Sequence, residues 1–312
     1  MKGKDLLSIS DLGSEDIGLL ISDTMIMKAS GWLSSLSGRS LAILFEKPSL
    51  RTRVSFEVAI KQLEGQAIYI SPAEVGLGKR EAVADIARVL NRYVDAIIAR
   101  TFSHHTLKAL AAHTDIPVIN ALSNLEHPCQ ALTDMFTIFE HKGELKGLTI
   151  AYIGDGNNVA HSLMLAATLA GLNFRIASPK GYAVDKDILQ MAKGYAANSG
   201  ARIVCTEKAG EAAFNADVVY TDVWTSMGQE KEAAKRRKIF ANYQVNAKLF
   251  ALAKEGAIFM HPLPAHRGDE VTDEVIDSPA SVVFDQAENR MHLAKTLLTS
   301  ILGGLEIPLS RY

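Results

Sequence analysis

Residues 41–60 read LAILFEKPSLRTRVSFEVAI. Leu41 to Phe45 is an unbroken apolar run of strand length, and a polar, proline-bearing turn follows it. Phe56, Ala59, Ile60 and Leu63 then recur at helical spacing, so one face of the next segment is apolar. A strand without polar alternation is covered on both faces. A strand that leads directly into a helix is the building unit of a parallel sheet.

The same unit recurs along the chain. Ala67–Ile70, Asp95–Ala99 and Pro117–Ile119 read as further strands, with Ala82–Tyr93, Leu107–Ala112 and Gln130–Phe139 as helices among them. His141–Gly147 is polar and carries glycines, as a domain junction does, and a second series follows it. Its strands are Leu148–Gly154, Phe174–Ala177, Arg202–Cys205, Val218–Tyr220 and Ala257–Met260. Alternation in both halves predicts an α/β protein of two doubly wound parallel-sheet domains. In such sheets ligands meet the loops at the carboxyl ends of strands.

Bulk properties agree with this reading and exclude several others. A chain of 312 residues exceeds what one hydrophobic core usually serves, and 48% hydrophobic with 22% charged residues is an ordinary globular balance. A net charge of -2 gives no general attraction to nucleic acid or to an anionic membrane, so any anion site is local. Cys129 and Cys205 are too few for a disulfide framework or a four-cysteine zinc site. No run approaches the roughly 18 apolar residues of a membrane span, and the N-terminal MKGKDLLSISDLGSEDIGLL breaks before a signal-peptide core forms. A cytoplasmic protein is expected.

Several strand-end loops carry chemistry. Ser49, Arg51, Thr52 and Arg53 open the first long helix, where free N–H groups, hydroxyls and guanidinium forks suit a phosphate as well as they suit a plain capped helix. Arg100 closes one strand, and His127-Pro128-Cys129-Gln130 precedes another helix. Together they describe an anion site whose histidine can hydrogen-bond a polarised carbonyl. Gly154-Asp155-Gly156-Asn157-Asn158-Val159 is not a dinucleotide fingerprint, because Val159 replaces the third glycine and no acidic ribose ligand ends the next strand. No P-loop occurs, and His104 and His105 lack acidic or cysteine partners, so no cofactor and no metal are expected. Asp222 in Asp222-Val223-Trp224-Thr225-Ser226-Met227-Gly228 is placed to bind an amine, or simply to cap a helix. Glu230–Lys238 reads as a solvated helix face, and Met260-His261-Pro262-Leu263-Pro264 as a rigid loop whose two prolines remove donors and leave carbonyls free.

Ser49-Leu50-Arg51-Thr52-Arg53, His127-Pro128-Cys129-Gln130, Asp222 with Ser226-Met227-Gly228, and His261-Pro262-Leu263-Pro264 resemble, in this order, the signatures of the carbamoyltransferases. The resemblance runs from the first strand to Gln286-Ala287-Glu288-Asn289-Arg290. It implies a carbamoyl-phosphate-binding domain at residues 1–145, an ornithine-binding domain at 146–288, and a C-terminal helix at 289–312 returning to the first domain. It also implies a homotrimer or a multiple of trimers. Ser49, Leu50, Arg51, Thr52, Arg100, His127, Gln130, Pro262, Leu263 and Arg290 would hold carbamoyl phosphate, and Asn158, Asp222, Ser226 and Met227 would hold L-ornithine. Arg100, His127 and Asp222 would be catalytic, giving L-citrulline and phosphate within arginine metabolism. Lys79 is similar to a lysine that aspartate-using relatives donate across subunits.

Three positions depart from the family pattern. Leu50 replaces the usual threonine, Gly76 stands where relatives often carry Gln or His, and Pro262 stands where ornithine enzymes typically carry cysteine. Ser226-Met227-Gly228 favours ornithine, whereas His261-Pro262-Leu263-Pro264 is closer to the aspartate branch. Aspartate carbamoyl transfer and a non-catalytic ligand-binding role are the alternatives to ornithine carbamoyl transfer.

Overall fold

The computed structural model of the chain describes residues 1–30, 34–77, 80–226, 228 and 230–303. The chain forms two compact units, Met1–Cys129 with Glu288–Tyr312, and Gln130–Ala287. This division falls at the start of the helix Pro128–Lys142, one helix upstream of the polar stretch at 141–147.

The first unit is built on four parallel strands, β1 (Ser40–Phe45), β2 (Gln66–Ile70), β3 (Ala96–Arg100) and β4 (Val118–Leu122). Their order is β2-β1-β3-β4. The two central strands are the uninterrupted apolar ones: β3 is buried throughout and β1 from Leu41 onward. Edge strand β2 has no buried residue: Gln66, Ala67 and Ile68 are exposed and Tyr69 and Ile70 half-buried. Ala42, Leu44, Ile97 and Ala99 pack against Leu107 and Leu110 of the helix His104–Ala111. From Glu288 onward the final helix, Val283–Leu302, belongs to this unit. Lys28 Nζ bonds Asn289 Oδ1 at 3.0 Å and the Thr24 hydroxyl meets that of Thr296.

The chain runs from β1 outward to β2 and then crosses back to place β3 on the other side of β1. The order therefore reverses between β1 and β3, and a crevice opens at their carboxyl ends. The loop 46–49 and Arg100 lie at those ends.

The second unit repeats the plan with β5 (Thr149–Ile153), β6 (Asn173–Ala177), β7 (Ile203–Thr206), β8 (Val218–Thr221) and β9 (Ile258–Met260), all parallel, in the order β7-β6-β5-β8-β9. Its reversal lies between β5 and β8, so the loops after Ile153 and Thr221 share one switch point. Ala151, Ile153, Val219 and Phe259 contribute the sheet side of a core completed by Trp224, Phe240 and Val275.

Candidate functional site

In the first unit the helix Leu50–Gln62 starts at Ser49, whose extended backbone lets its Oγ accept the Thr52 N–H and donate to Thr52 Oγ1 at 3.0 Å. Leu50 is 74% exposed, so only its backbone can serve a ligand here. The pairing of β3 with β4 shifts register between Ala99 and Arg100, and such a bulge re-aims the side chain that follows it. Arg100 is buried, and its Nη1 reaches Thr52 Oγ1 at 3.5 Å. Arg290, from the final helix, donates Nη2 to the same hydroxyl at 2.8 Å. Arg51 is half-buried at the start of the helix.

The electrostatics of this group are one-sided. Burial, then the charges of Arg290 and Arg51, brings Arg100 down to about 10, and burial lowers Arg51 as well. Neither has a carboxylate partner among the described residues. Arg100 Nε is buried without a hydrogen-bond partner. Burial, then Arg290 and Arg100, holds the His127 imidazole well below its usual value, so it is neutral at pH 7. Cys129 is inert, because burial pushes its thiol up to about 12. Arg53 does not join the group. Its Nε pairs with Glu57 at 2.8 Å and its guanidinium lies 3.8 Å from the Tyr69 ring centroid, so one of the two arginines expected at the anion faces away.

In the second unit, Asp155, Gly156 and Asn157 lie between β5 and the helix Asn158–Leu169. A Cβ on Gly156 would stand 2.3 Å from the Val184 backbone nitrogen, so only glycine fits. Asn157 caps the helix, its Oδ1 accepting the N–H groups of Val159 and Ala160. Its Nδ2 donates to Asp222 Oδ2 at 2.8 Å. Asp222 follows β8 and is buried; burial raises its pKa, opposed by His261, Asn157 and the Val223 N–H. Asn158 is the first helical residue and Ser226 is half-buried, whereas Met227 and Lys79 lie outside the described residues.

Most of Lys231–Lys238 is exposed, as expected of a solvated face, and Arg236, on the helix Ala233–Phe240, is the buried exception. Arg236 is buried and donates Nη1 to Asp155 Oδ2 at 2.6 Å and to the Trp224 carbonyl at 2.9 Å. The composition of the helix alone hides this, because the partners are remote in sequence. Arg237 pairs with Asp269 at 2.8 Å. Both arginines of this helix are thus ion-paired, Arg236 buried and Arg237 exposed.

After β9, the His261 N–H is taken by Gln286 Oε1 and its Nδ1 accepts the Leu263 N–H. The Leu263–Pro264 bond is cis and Leu263 has φ 54. No donor among the described residues takes the carbonyls of Pro262 or Leu263. Gln130, at the start of the helix Pro128–Lys142, donates Nε2 to Asp134 at 2.8 Å, while its buried Oε1 has no partner. Sequence reading missed Asp134 and the burial of Arg236, and it left open what each of Asn157 and Asn158 does at the helix start. The signals were an acid four residues after Gln130 in a largely apolar stretch, Ala131–Phe139, and a cap-forming asparagine beside Asn158.

The family model described as aspartate/ornithine carbamoyltransferase, carbamoyl-P binding domain, matches residues 4–140. The model described as aspartate/ornithine carbamoyltransferase, Asp/Orn binding domain, matches residues 146–301. Ornithine carbamoyltransferase of Thermococcus kodakarensis is 49% identical over 311 residues, 98% of this chain and 99% of its own. That of Bacillus subtilis is 52% identical over 300 residues, 96% of this chain and 94% of its own. The solved structure of ornithine carbamoyltransferase from Pyrococcus furiosus aligns with a TM-score of 0.94 at 49% identity, covering 98% of this chain and 99% of that one. With both family models matched in order and relatives of this similarity along nearly its whole length, the chain belongs to the aspartate/ornithine carbamoyltransferase family.

Proposed function

We propose that this chain is an ornithine carbamoyltransferase, moving the carbamoyl group of carbamoyl phosphate to the δ-amine of L-ornithine to give L-citrulline and phosphate. One observation carries the reading. Arg100 and Arg290 both reach the Thr52 hydroxyl, and burial with the charges of Arg290 and Arg51 lowers Arg100, so an entering anion relieves that repulsion. Ser49, the backbone at Leu50, Arg51 and Thr52 take the phosphate, and Arg290 adds a further cation. Arg100 spans phosphate and carbonyl oxygen, and neutral His127 donates its N–H to that oxygen. Gln130 and the carbonyls of Pro262 and Leu263 face the carbamoyl N–H groups and the incoming amine. Asp222 takes an ammonium group of ornithine, with Asn158, Ser226 and Met227 holding the rest of the molecule.

The lone pair of the neutral δ-amine attacks the carbamoyl carbon. The bond to the phosphate oxygen breaks, its electron pair leaving with phosphate, and the departing phosphate takes the proton that the attacking nitrogen loses. A lysine-like amine has a pKa of about 10.4, so its neutral form at pH 7 lies roughly 4.6 kcal/mol uphill. Pro262 offers no thiolate to accept the ammonium proton. Rate enhancement therefore comes from positioning and from cations aimed at the departing phosphate.

Ornithine is favoured over aspartate because Arg236 and Arg237 are already paired and because the relatives of 49% and 52% identity are named for ornithine. Pro262 thus does not mark aspartate use. A Pyrococcus furiosus relative, 49% identical, is named as anabolic, which supports a place in arginine biosynthesis. The donor domain is taken as residues 1–145, the acceptor domain as 146–288, and the C-terminal helix as an addition to the former; of the span 289–312 expected for it, residues 304–312 lie outside the described residues. The setting is taken to be the cytoplasm; no helix among the described residues is long and apolar enough to cross a membrane. The assembly is taken as a homotrimer or a multiple of trimers. Leu50 and Val54, exposed one turn apart on one helix, support an assembled state.

The test is product formation together with anion binding. Carbamoyl phosphate and ornithine should give citrulline and phosphate in equal amounts. Arg51→Ala should raise the calorimetric Kd for carbamoyl phosphate by about 100-fold while the protein stays folded. No citrulline, or unchanged affinity in a folded variant, would refute the reading.

A further inference from the structure

Asp134 is fully buried on the helix Pro128–Lys142, one turn after Gln130, and three donors converge on its carboxylate. Gln130 Nε2 donates to Oδ1 at 2.8 Å, Gln286 Nε2 to the same oxygen at 2.7 Å, and the Tyr220 hydroxyl to Oδ2 at 2.9 Å. Gln286 is held from its other end too, its Oε1 accepting the His261 N–H at 3.0 Å. The Gln130 Oε1, by contrast, is buried and without a partner. Both Asp134 oxygens act as acceptors, so the NH2 ends of both amides face them and the amide oxygens point away. For Gln286 the oxygen meets a backbone N–H. For Gln130 it is an acceptor already stripped of water, waiting for a donor.

We propose that Asp134 is a positioning residue that fixes the Gln130 amide with its oxygen toward the substrate, so that the site selects the NH2 of a carbamoyl phosphate over an acyl phosphate of the same shape. The inference rests on the carbamoyl-phosphate reading above. Acetyl phosphate carries a methyl group where carbamoyl phosphate carries NH2. Their phosphates are the same, and the arginines treat them alike. The two differ at Gln130, where a methyl group leaves a buried oxygen unpaired, a difference of about tenfold or more in affinity.

Asp134→Asn sets the donors in conflict. Gln130, Gln286 and Tyr220 then face one oxygen and one new NH2. Gln286 cannot turn without setting its NH2 against the His261 N–H, whereas Gln130 forfeits no internal partner by turning. Gln130 therefore turns and presents NH2, a donor, to the substrate. Adding Gln130→Glu repairs the pattern. The new amide donates to one carboxylate oxygen and the other oxygen accepts the carbamoyl N–H. Gln286 Nε2 then rests on the Tyr220 hydroxyl, already 3.2 Å away.

The experiment measures Kd for carbamoyl phosphate, acetyl phosphate and inorganic phosphate by calorimetry, with melting curves to establish folding. Wild type should prefer carbamoyl over acetyl phosphate by about tenfold or more. Asp134→Asn should remove most of that preference and leave the affinity for inorganic phosphate within about twofold, and the double variant should regain the preference. Unchanged selectivity in Asp134→Asn, or an equal loss for all three anions, overturns the inference, as does a double variant that regains nothing. If wild type binds phosphate without preferring carbamoyl over acetyl phosphate, the carbamoyl reading itself fails. Should Asp134→Asn not fold, neutron diffraction from the wild type answers the same question. Deuterons on the Gln130 nitrogen facing Asp134 support the inference, and deuterons facing away from it overturn it.

Discussion

Asp222 stands after β8 with its carboxyl buried and its Oδ2 taking the Asn157 amide. Because burial raises its pKa, the native protein keeps this proton to higher pH than the unfolded chain does. Ionising it therefore costs stability, and the loss is complete once pH exceeds the folded value. Asp222→Asn is accordingly expected to melt no lower than wild type at pH 7, while its KM for ornithine rises by about tenfold or more. In wild type, ornithine affinity should fall on acidification at a pH above the ordinary carboxylate range, and the variant should lack that limb. A variant that melts lower yet binds ornithine normally would make Asp222 structural. Asp222 and Arg100 stand out in the sequence because each lies at or just beyond an apolar run, and His127 because it precedes Pro128 at a helix start. Asn157 was not separable from Asn158, since both are polar residues at one helix start and only the backbone decides which of them caps. Arg290 entered through family resemblance; nothing in its own helical surroundings marks it as facing an anion.

Among the elements, the helix Ala233–Phe240 ties the loop after β5 to the loop after β8 through Arg236, whose guanidinium also lies 4.9 Å from the Tyr182 ring centroid. Burial pushes the Asp155 carboxyl up and the guanidinium opposes it, so deleting the cation strands a buried acid. Arg236→Ala should destabilise the protein by about 3–5 kcal/mol and raise KM for ornithine more than KM for carbamoyl phosphate. Equal rises, or none, would confine Arg236 to folding. The loop after β9 makes a second case. Pro262 and Leu263 present carbonyls that no described donor takes, which suits an amine but offers nothing to receive its proton. Wild-type kcat/KM for ornithine should keep rising with pH toward the amine's pKa of about 10.4. Pro262→Cys brings a thiol with a reference pKa of about 8.5 and should start that rise earlier. Superimposable profiles in two folded proteins would exclude this position from the proton balance. The strands themselves were readable, since buried parallel strands are continuous apolar runs. Arg236 was not, because a helix polar all round reads as solvated unless its distant partners are known.

Over the whole chain, two parallel sheets place four loops at two switch points, β1/β3 in one unit and β5/β8 in the other. The sequence predicts parallel sheets from alternation, but strand order depends on which side each crossover returns to, and no local pattern records that. Once the order is known, the loops proposed for the anion and for the amine fall at the positions where ligands of such sheets collect. The chemistry follows from what each unit offers. In the first, Arg51 and Arg100 have no carboxylate partner among the described residues, and in the second Asp222 is buried while Arg236 is paired with Asp155. A substrate with one carboxylate and a free amine fits the second unit, whereas a dicarboxylate does not. Side-by-side kcat/KM values for ornithine, aspartate and putrescine, at saturating carbamoyl phosphate, test this most directly. Ornithine should exceed both by at least about 100-fold, since aspartate brings a charge without a partner and putrescine lacks the carboxylate. A preference for aspartate, or putrescine used as well as ornithine, would contradict it.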